Sequence, residues 1–212
     1  MDREPSFHNV VTIPARQTQT ATIIFIHGLG QSNVTWRMVA AEALSPSLPH
    51  VQWLFPQASK RPVSMNQGLR RPSWFDIARL PPSPNEFDEY AISESIGLIE
   101  DLILSQGAAL SMMVALTSLH DLGGVVSLSG WIPPRARHMI HATPTFPILW
   151  CHGIADREIP FTYGQEAIAF LRNTLRLPQS RLQLRAYDGL DHAINDAELN
   201  DVAYWLQCVL SG

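Results

Sequence analysis

The chain has little of what most non-enzymatic roles require. Only two cysteines occur in 212 residues, Cys151 and Cys208, and both lie in apolar runs. That is too few for a disulfide framework, and it points to a reduced, cytosolic setting. No apolar run is long enough to span a membrane, and the first ten residues, MDREPSFHNV, have no apolar stretch of the signal-peptide kind. Basic residues are sparse: the net charge is -4, and Arg70 and Arg71 alone make no basic patch, so no nucleic-acid partner is expected. The eight histidines show no H-x-x-x-H or H-E-x-x-H spacing, and no glycine-rich phosphate loop is present. Neither a metal nor another cofactor is therefore expected.

What is there suits a folded enzyme. Apolar residues make up 46% of the chain and charged residues 16%, enough to bury a continuous core in one domain spanning residues 1–212. TIIFI (22–26) and VQWLF (51–55) read as buried strands, and residues 34–44 as a helix capped by Ser32 or Asn33. Residues 57–85 are rich in Pro, Arg and Ser without a clear period, which predicts a long irregular segment of functional kind. From Asp88 onward Ile92, Ile96, Ile99 and Ile103 recur at helical spacing, and 108–117 reads as a buried helix. GVVSLSG (124–130), PILWC (147–151) and RLQLRAY (181–187) read as strands, the last with the alternation of a sheet edge. Helices are expected over 161–171 and around Leu199, Val202 and Leu206. Strands alternating with helices predict an α/β sandwich with a mostly parallel sheet.

Four features fall in the order that nucleophilic acyl transfer needs. HGLG (27–30) follows the first strong strand, and its glycines let the Leu29 N–H approach an oxyanion. Ser105 stands in SQG, where Gln106 N–H at a helix N-terminus would be a second donor. Asp156 follows the strand PILWC, and His192 lies in the loop YDGLDHAIND before the last helix. Nucleophile, orienting acid and general base would then be Ser105, Asp156 and His192. Asp191 is a poor rival for the acid, because neighbouring side chains rarely face each other. Each feature alone is common in loops; the ordered set is not.

HGLGQSNVTW (27–36), RPVSMNQGLRRPSWFDI (61–77), SQGAALSMMVALT (105–117), LSGWIP (128–133), ILWCHGIADREIPF (148–161) and YDGLDHAINDAEL (187–199) together resemble the acyl-protein thioesterase and small carboxylesterase (phospholipase/carboxylesterase) branch of the α/β hydrolases. The resemblance implies a three-layer α/β-hydrolase sandwich. It implies cytoplasmic, and also nuclear, hydrolysis of thioesters or carboxylic esters. The substrate would be an acylated protein or a small acyl ester, with at most transient membrane contact. It implies the same triad and oxyanion donors, and makes 57–85 part of a cover over an acyl channel. Leu69, Trp74, Phe75 and Trp131 would line that channel; as core aromatics, the three rings have an equally good structural reason to be there.

One segment departs from the pattern. The family's G-x-S-x-G motif follows an apolar strand, whereas here helical periodicity runs into Ser105 and Ile103 holds the first glycine position. If Gly97 ended the helix, residues 98–104 could be the strand, but Glu100 and Asp101 would then be unpaired charges inside a central strand. The nucleophile strand is therefore expected to be shortened or missing. Two functional readings follow: an active serine hydrolase, or a catalytically impaired acyl-binding relative or shortened form of one.

Overall fold

The β-branched and aromatic runs form short strands with alternate residues on opposite faces. The computed structural model describes residues 9–83, 88–106, 112–118, 120–140 and 143–211, with the backbone alone for 101 and 103–106. β1 (Val10–Ile13), β2 (Ala21–Ile24) and β3 (Val51–Pro56) form one sheet in the order β1-β3-β2. β2 runs parallel to β3 with Ile23 opposite Trp53, and β1 runs antiparallel with Val11 opposite Phe55. β4 (Lys60–Val63) and β5 (Leu69–Pro72) make a separate antiparallel hairpin. β6 (Val125–Leu128), β7 (Ile148–Gly153) and β8 (Leu182–Tyr187) form a parallel sheet in the order β6-β7-β8.

Among the described residues, α-helices pack against the two larger sheets. α1 (Asn33–Ala43) is capped by the Ser32 side chain, which accepts from Thr35 N. α2 (Glu89–Gln106) starts at Asp88, whose carboxylate accepts the Ala91 N–H at 3.0 Å. α3 (Met112–Thr117), α4 (Phe161–Ala169) and α5 (Asp196–Leu210) follow. Strand alternation sorts the core into two layers of contact. Ile24, Leu54, Ile148 and Trp150 pack with Ile92, Ile96 and Ile99 of α2, Met113 of α3 and Ile168 of α4. Ile23, Trp53, Phe55, Leu149 and Cys151 pack with Ala40 of α1 and Val202, Trp205 and Leu206 of α5. Each layer draws on both larger sheets, so these act as the middle layer of one three-layer sandwich.

The middle layer has a break where the sequence departs from its pattern. Among the described residues β2 pairs with β3 alone and β6 with β7 alone, and no strand joins them. Ile23 and Ile24 of β2 and Val125 of β6 are nonetheless buried. α2 runs straight through Gly97 to Gln106, so residues 98–104 are helix and the strand alternative is not adopted. This keeps the charge of Glu100 out of a sheet interior. The 108–111 half of the expected buried helix lies outside the described residues.

Two further expectations are corrected. Residues 57–85 are not irregular throughout, because β4 and β5 lie within them. Pro62 and Pro72 hid this hairpin: proline disrupts the period-two signal yet is tolerated in a two-stranded edge ribbon. β1 also escaped the reading, as four residues beside a polar segment carry little periodicity.

Candidate active site

The loops that leave β7 and β8 bring the predicted acid and base together. His192 Nδ1 lies 2.8 Å from Asp156 Oδ2. The other carboxylate oxygen, Oδ1, accepts the N–H groups of Glu158 at 3.0 Å and Ile159 at 2.8 Å. Asp156 is thus fully hydrogen-bonded while its side chain has no solvent exposure; the His192 ring keeps 36%. A buried carboxylate on Nδ1 fixes that nitrogen as the donor and leaves Nε2 as the basic one. Glu158 Oε2 lies 3.8 Å from Nε2, on the open side of the ring.

Behind this pair lies a neutral histidine. His152, fully buried on β7, donates from Nε2 to the Ile159 carbonyl at 2.8 Å and sits 3.6 Å from Asp156 Oδ2. Burial pushes its pKa down, so it stabilises the acid loop as a hydrogen-bond donor rather than as a counter-ion. Gly153 is required at the end of β7, since a Cβ there would strike the Leu190 carbonyl and lie 2.9 Å from the Asp191 carbonyl. The acid and base loops approach each other at that glycine.

A second buried carboxyl stands nearby. Glu198, in the first turn of α5, is 1% exposed, and its Oε2 has no hydrogen-bond partner among the described residues. Burial pushes its pKa up to about 7, against the opposing pull of His192. The folded state therefore holds a proton here that the unfolded chain releases near its ordinary value of 4.5. Stability from this group is complete below that value and is lost as pH rises through about 7. Glu198→Gln removes the loss. Its melting temperature is expected to exceed the wild type by roughly 5 °C more at pH 8 than at pH 4.5, on the order of 2 kcal/mol. A pH-independent difference in thermal melts would contradict the assignment.

The loop after β2 is held by hydrogen bonds from several segments. His27 is buried; its Nδ1–H donates to the Gly28 carbonyl at 2.7 Å and its Nε2 accepts the Ala58 N–H at 3.0 Å. Gln31 Oε1 accepts the Gly28 N–H at 2.8 Å, and Gly30 N–H reaches the Pro72 carbonyl at 2.8 Å. The Leu29 N–H makes no hydrogen bond among the described residues. Among the described residues the Leu29 N–H is thus unpaired while the Gly28, Gly30 and Gln31 amides around it are bonded. The supporting roles of His27 and Gln31 were not read from the sequence, although a His-Gly pair followed by Gln was the available signal.

The predicted wall residues divide. Trp74 packs beside the loop after β2, donating from Nε1 to the His27 carbonyl at 2.8 Å. The Phe75 and Trp131 rings meet edge to face with centroids 6.1 Å apart. Leu69 stands on β5 with 59% of its surface exposed, outside that packing. A cavity of about 410 Å³ opens elsewhere, between Ser93, Ile96, Glu100, Thr117, His138 and Met139. It does not touch Asp156 or His192, and we attach no substrate role to it.

Ser105 and Gln106 lie within α2. Their side chains, and Gly107 beyond them, lie outside the described residues. Helical backbone reaches Gln106 where the sequence expectation has a turn opening a helix.

Comparison with known proteins follows the same division. The Phospholipase/Carboxylesterase family model matches residues 8–105 and 104–210, two stretches that meet at Leu104 and Ser105. Acyl-protein thioesterase 1 of Yarrowia lipolytica is 36% identical over 219 residues, covering 93% of this chain and 95% of that protein. The corresponding protein of Mycosarcoma maydis is 34% identical over 90% of this chain and 92% of its own length. The crystal structure of Zea mays acyl-protein thioesterase 2 superposes with a TM-score of 0.81 at 28% identity, covering 95% of this chain and 99% of that one. The aligned span of the Yarrowia protein exceeds the 212 residues of this chain, so the match opens gaps on this side.

Proposed function

The chain belongs to the phospholipase/carboxylesterase family of α/β hydrolases, and from that premise we propose that Ser105, Asp156 and His192 form the catalytic set of its serine-hydrolase chemistry. That chemistry is cleavage of thioesters or carboxylic esters. The observation that carries the assignment is the 2.8 Å bond between His192 Nδ1 and a buried, doubly amide-bonded Asp156.

In the proposed reaction Ser105 Oγ attacks the acyl carbonyl carbon and its proton passes to His192 Nε2. Asp156 holds the resulting imidazolium. The Leu29 N–H, with Gln106 N–H once that residue leaves the helix, receives the oxyanion. Collapse expels the thiol or alcohol, which takes the proton from His192, and water then releases the acid from Ser105 by the same steps. The relatives named acyl-protein thioesterase support an acylated protein as substrate, with a small acyl ester as the simpler one. Residues 57–85 serve as the cover, because Trp74 and Pro72 bind the oxyanion loop directly. No described helix is long and apolar enough to cross a membrane, and we place the reaction in the cytoplasm, with only passing membrane contact.

A second reading rests on the position of Ser105 inside helix α2 and on the strand missing between β2 and β6 among the described residues. In it the chain keeps the acid–base pair and binds acyl groups with little turnover, as a form shortened between Leu104 and Ser105. Hydrolysis of a p-nitrophenyl acyl ester and an acyl thioester separates the two. The first reading expects turnover that Ser105→Ala reduces at least about 10³-fold. Turnover at background level in the folded wild type favours the second.

A further inference from the structure

We infer that Asp191 is a positioning residue that registers the acid loop against the base loop. The inference rests on the assignment of Asp156 and His192 as acid and base.

One atom serves both loops. Asp191 Oδ1 accepts the N–H of Arg157 at 3.0 Å and the N–H of His192 at 2.9 Å. Arg157 adjoins the acid and His192 is the base, so both are referenced to the same oxygen. On the other side of the acid, the Ala155 N–H donates to the Leu190 carbonyl at 3.0 Å. Asp156 is therefore bracketed: the residue before it and the residue after it are both tied to consecutive residues of the base loop. The amides of Arg157 and His192 hold the Asp191 carboxyl below the usual carboxylate range, so it is ionised wherever the histidine is able to act as a base.

The neighbouring charges do not explain this arrangement. Arg157 Nε lies 3.6 Å from Asp191 Oδ2 with its side chain 86% exposed, a pair that solvent screens to little effect. Glu158 points toward His192 Nε2 and not toward Asp191. The acceptor geometry at Oδ1 is the feature that acts. Asn reproduces it through its amide oxygen, and Ala removes it. Catalytic geometry is sensitive to shifts of about 1 Å, which cost up to about 10²-fold.

Three variants of the full chain test this: wild type, Asp191→Asn and Asp191→Ala. The readouts are the proton NMR resonance of the His192 Nδ1–H, hydrogen exchange at the Arg157 and His192 amides, and kcat and KM on a p-nitrophenyl ester. Asp191→Ala is expected to broaden or lose the Nδ1–H resonance, to speed exchange of both amides at least about 10-fold, and to lower kcat about 10-fold with little change in KM. Asp191→Asn is expected to restore all three toward wild type. An unchanged resonance and unchanged amide protection in Asp191→Ala would overturn the inference, as would Asp191→Asn behaving like Asp191→Ala. The NMR and exchange readouts decide even in a chain that turns over no ester. A wild-type protein without the Nδ1–H resonance would instead refute the acid–base pairing on which the inference stands.

Discussion

Asp156→Asn is expected to lower kcat for ester hydrolysis by roughly 10⁴-fold while the protein remains folded. The argument turns on which atom of the side chain does what. Asp156 Oδ1 accepts two backbone N–H groups and Oδ2 accepts from His192 Nδ1. In the Asn variant the amide oxygen keeps the two backbone bonds, and the NH2 group is turned toward the imidazole. A donor facing Nδ1 makes that nitrogen the acceptor, so the ring proton moves to Nε2 and the base toward Ser105 is lost. Asp156→Ala is a harsher change, because it leaves two backbone donors without their acceptor at a site only 6% exposed. Each costs about 1–3 kcal/mol, and circular dichroism should show that loss for Ala and not for Asn. Wild-type kcat in Asp156→Asn would remove Asp156 from the mechanism.

The second large effect runs in the opposite direction. An insertion between Leu104 and Ser105 that supplies an apolar β-branched strand and ends in a glycine turn is expected to raise kcat/KM by about 10²-fold or more. A crossover from the end of α2 to the far sheet edge needs about five residues at ~3.3 Å each, plus a loop of two or more. α2 continues to Gln106 and leaves none. β2 and β6 each have one strand partner among the described residues, with Ile24 and Val125 buried on them, so an added parallel strand would meet a sheet edge on either side. The insertion also moves Ser105 out of helical backbone to a turn before a helix, where Gln106 N–H would be free and the dipole would favour an oxyanion. Thermal stability should rise with activity, since two strand edges gain ladder bonds. An insertion that lowers both would show that the space between β2 and β6 is already filled.

The parts legible in the sequence were those written in local pattern. β2, β3, β7 and β8 announced themselves as short apolar or alternating runs, and α1 by a serine cap that the structure uses. The contact of Asp156 with His192 was legible because each falls in a loop after a strand, and the proposed order of oxyanion loop, acid and base leaves few other arrangements. The β4–β5 hairpin was not, because its prolines and arginines erase the alternation that marks a strand. Asp191 was dismissed for the acid role on the ground that adjacent side chains do not face each other. Its carboxylate faces backbone amides instead, a partner that no side-chain pattern reveals. Glu198 carried a readable signal, since Asn195 caps α5 three residues before it in the N-x-x-E arrangement. Its burial beside His192 was not readable, because it depends on how α5 closes over β7. The break before Ser105 was legible as an absence of strand pattern, and α2 runs through it as a helix.

The central claim is that Ser105 is the nucleophile served by the Asp156–His192 pair. Labelling of the folded chain with a fluorophosphonate probe, followed by peptide mapping, tests it most directly. The account predicts one phosphonylated residue, Ser105, with labelling abolished in Ser105→Ala and slowed strongly in Asp156→Asn. A cooperatively melting wild-type protein that takes up no probe, or takes it up at another serine, would contradict it.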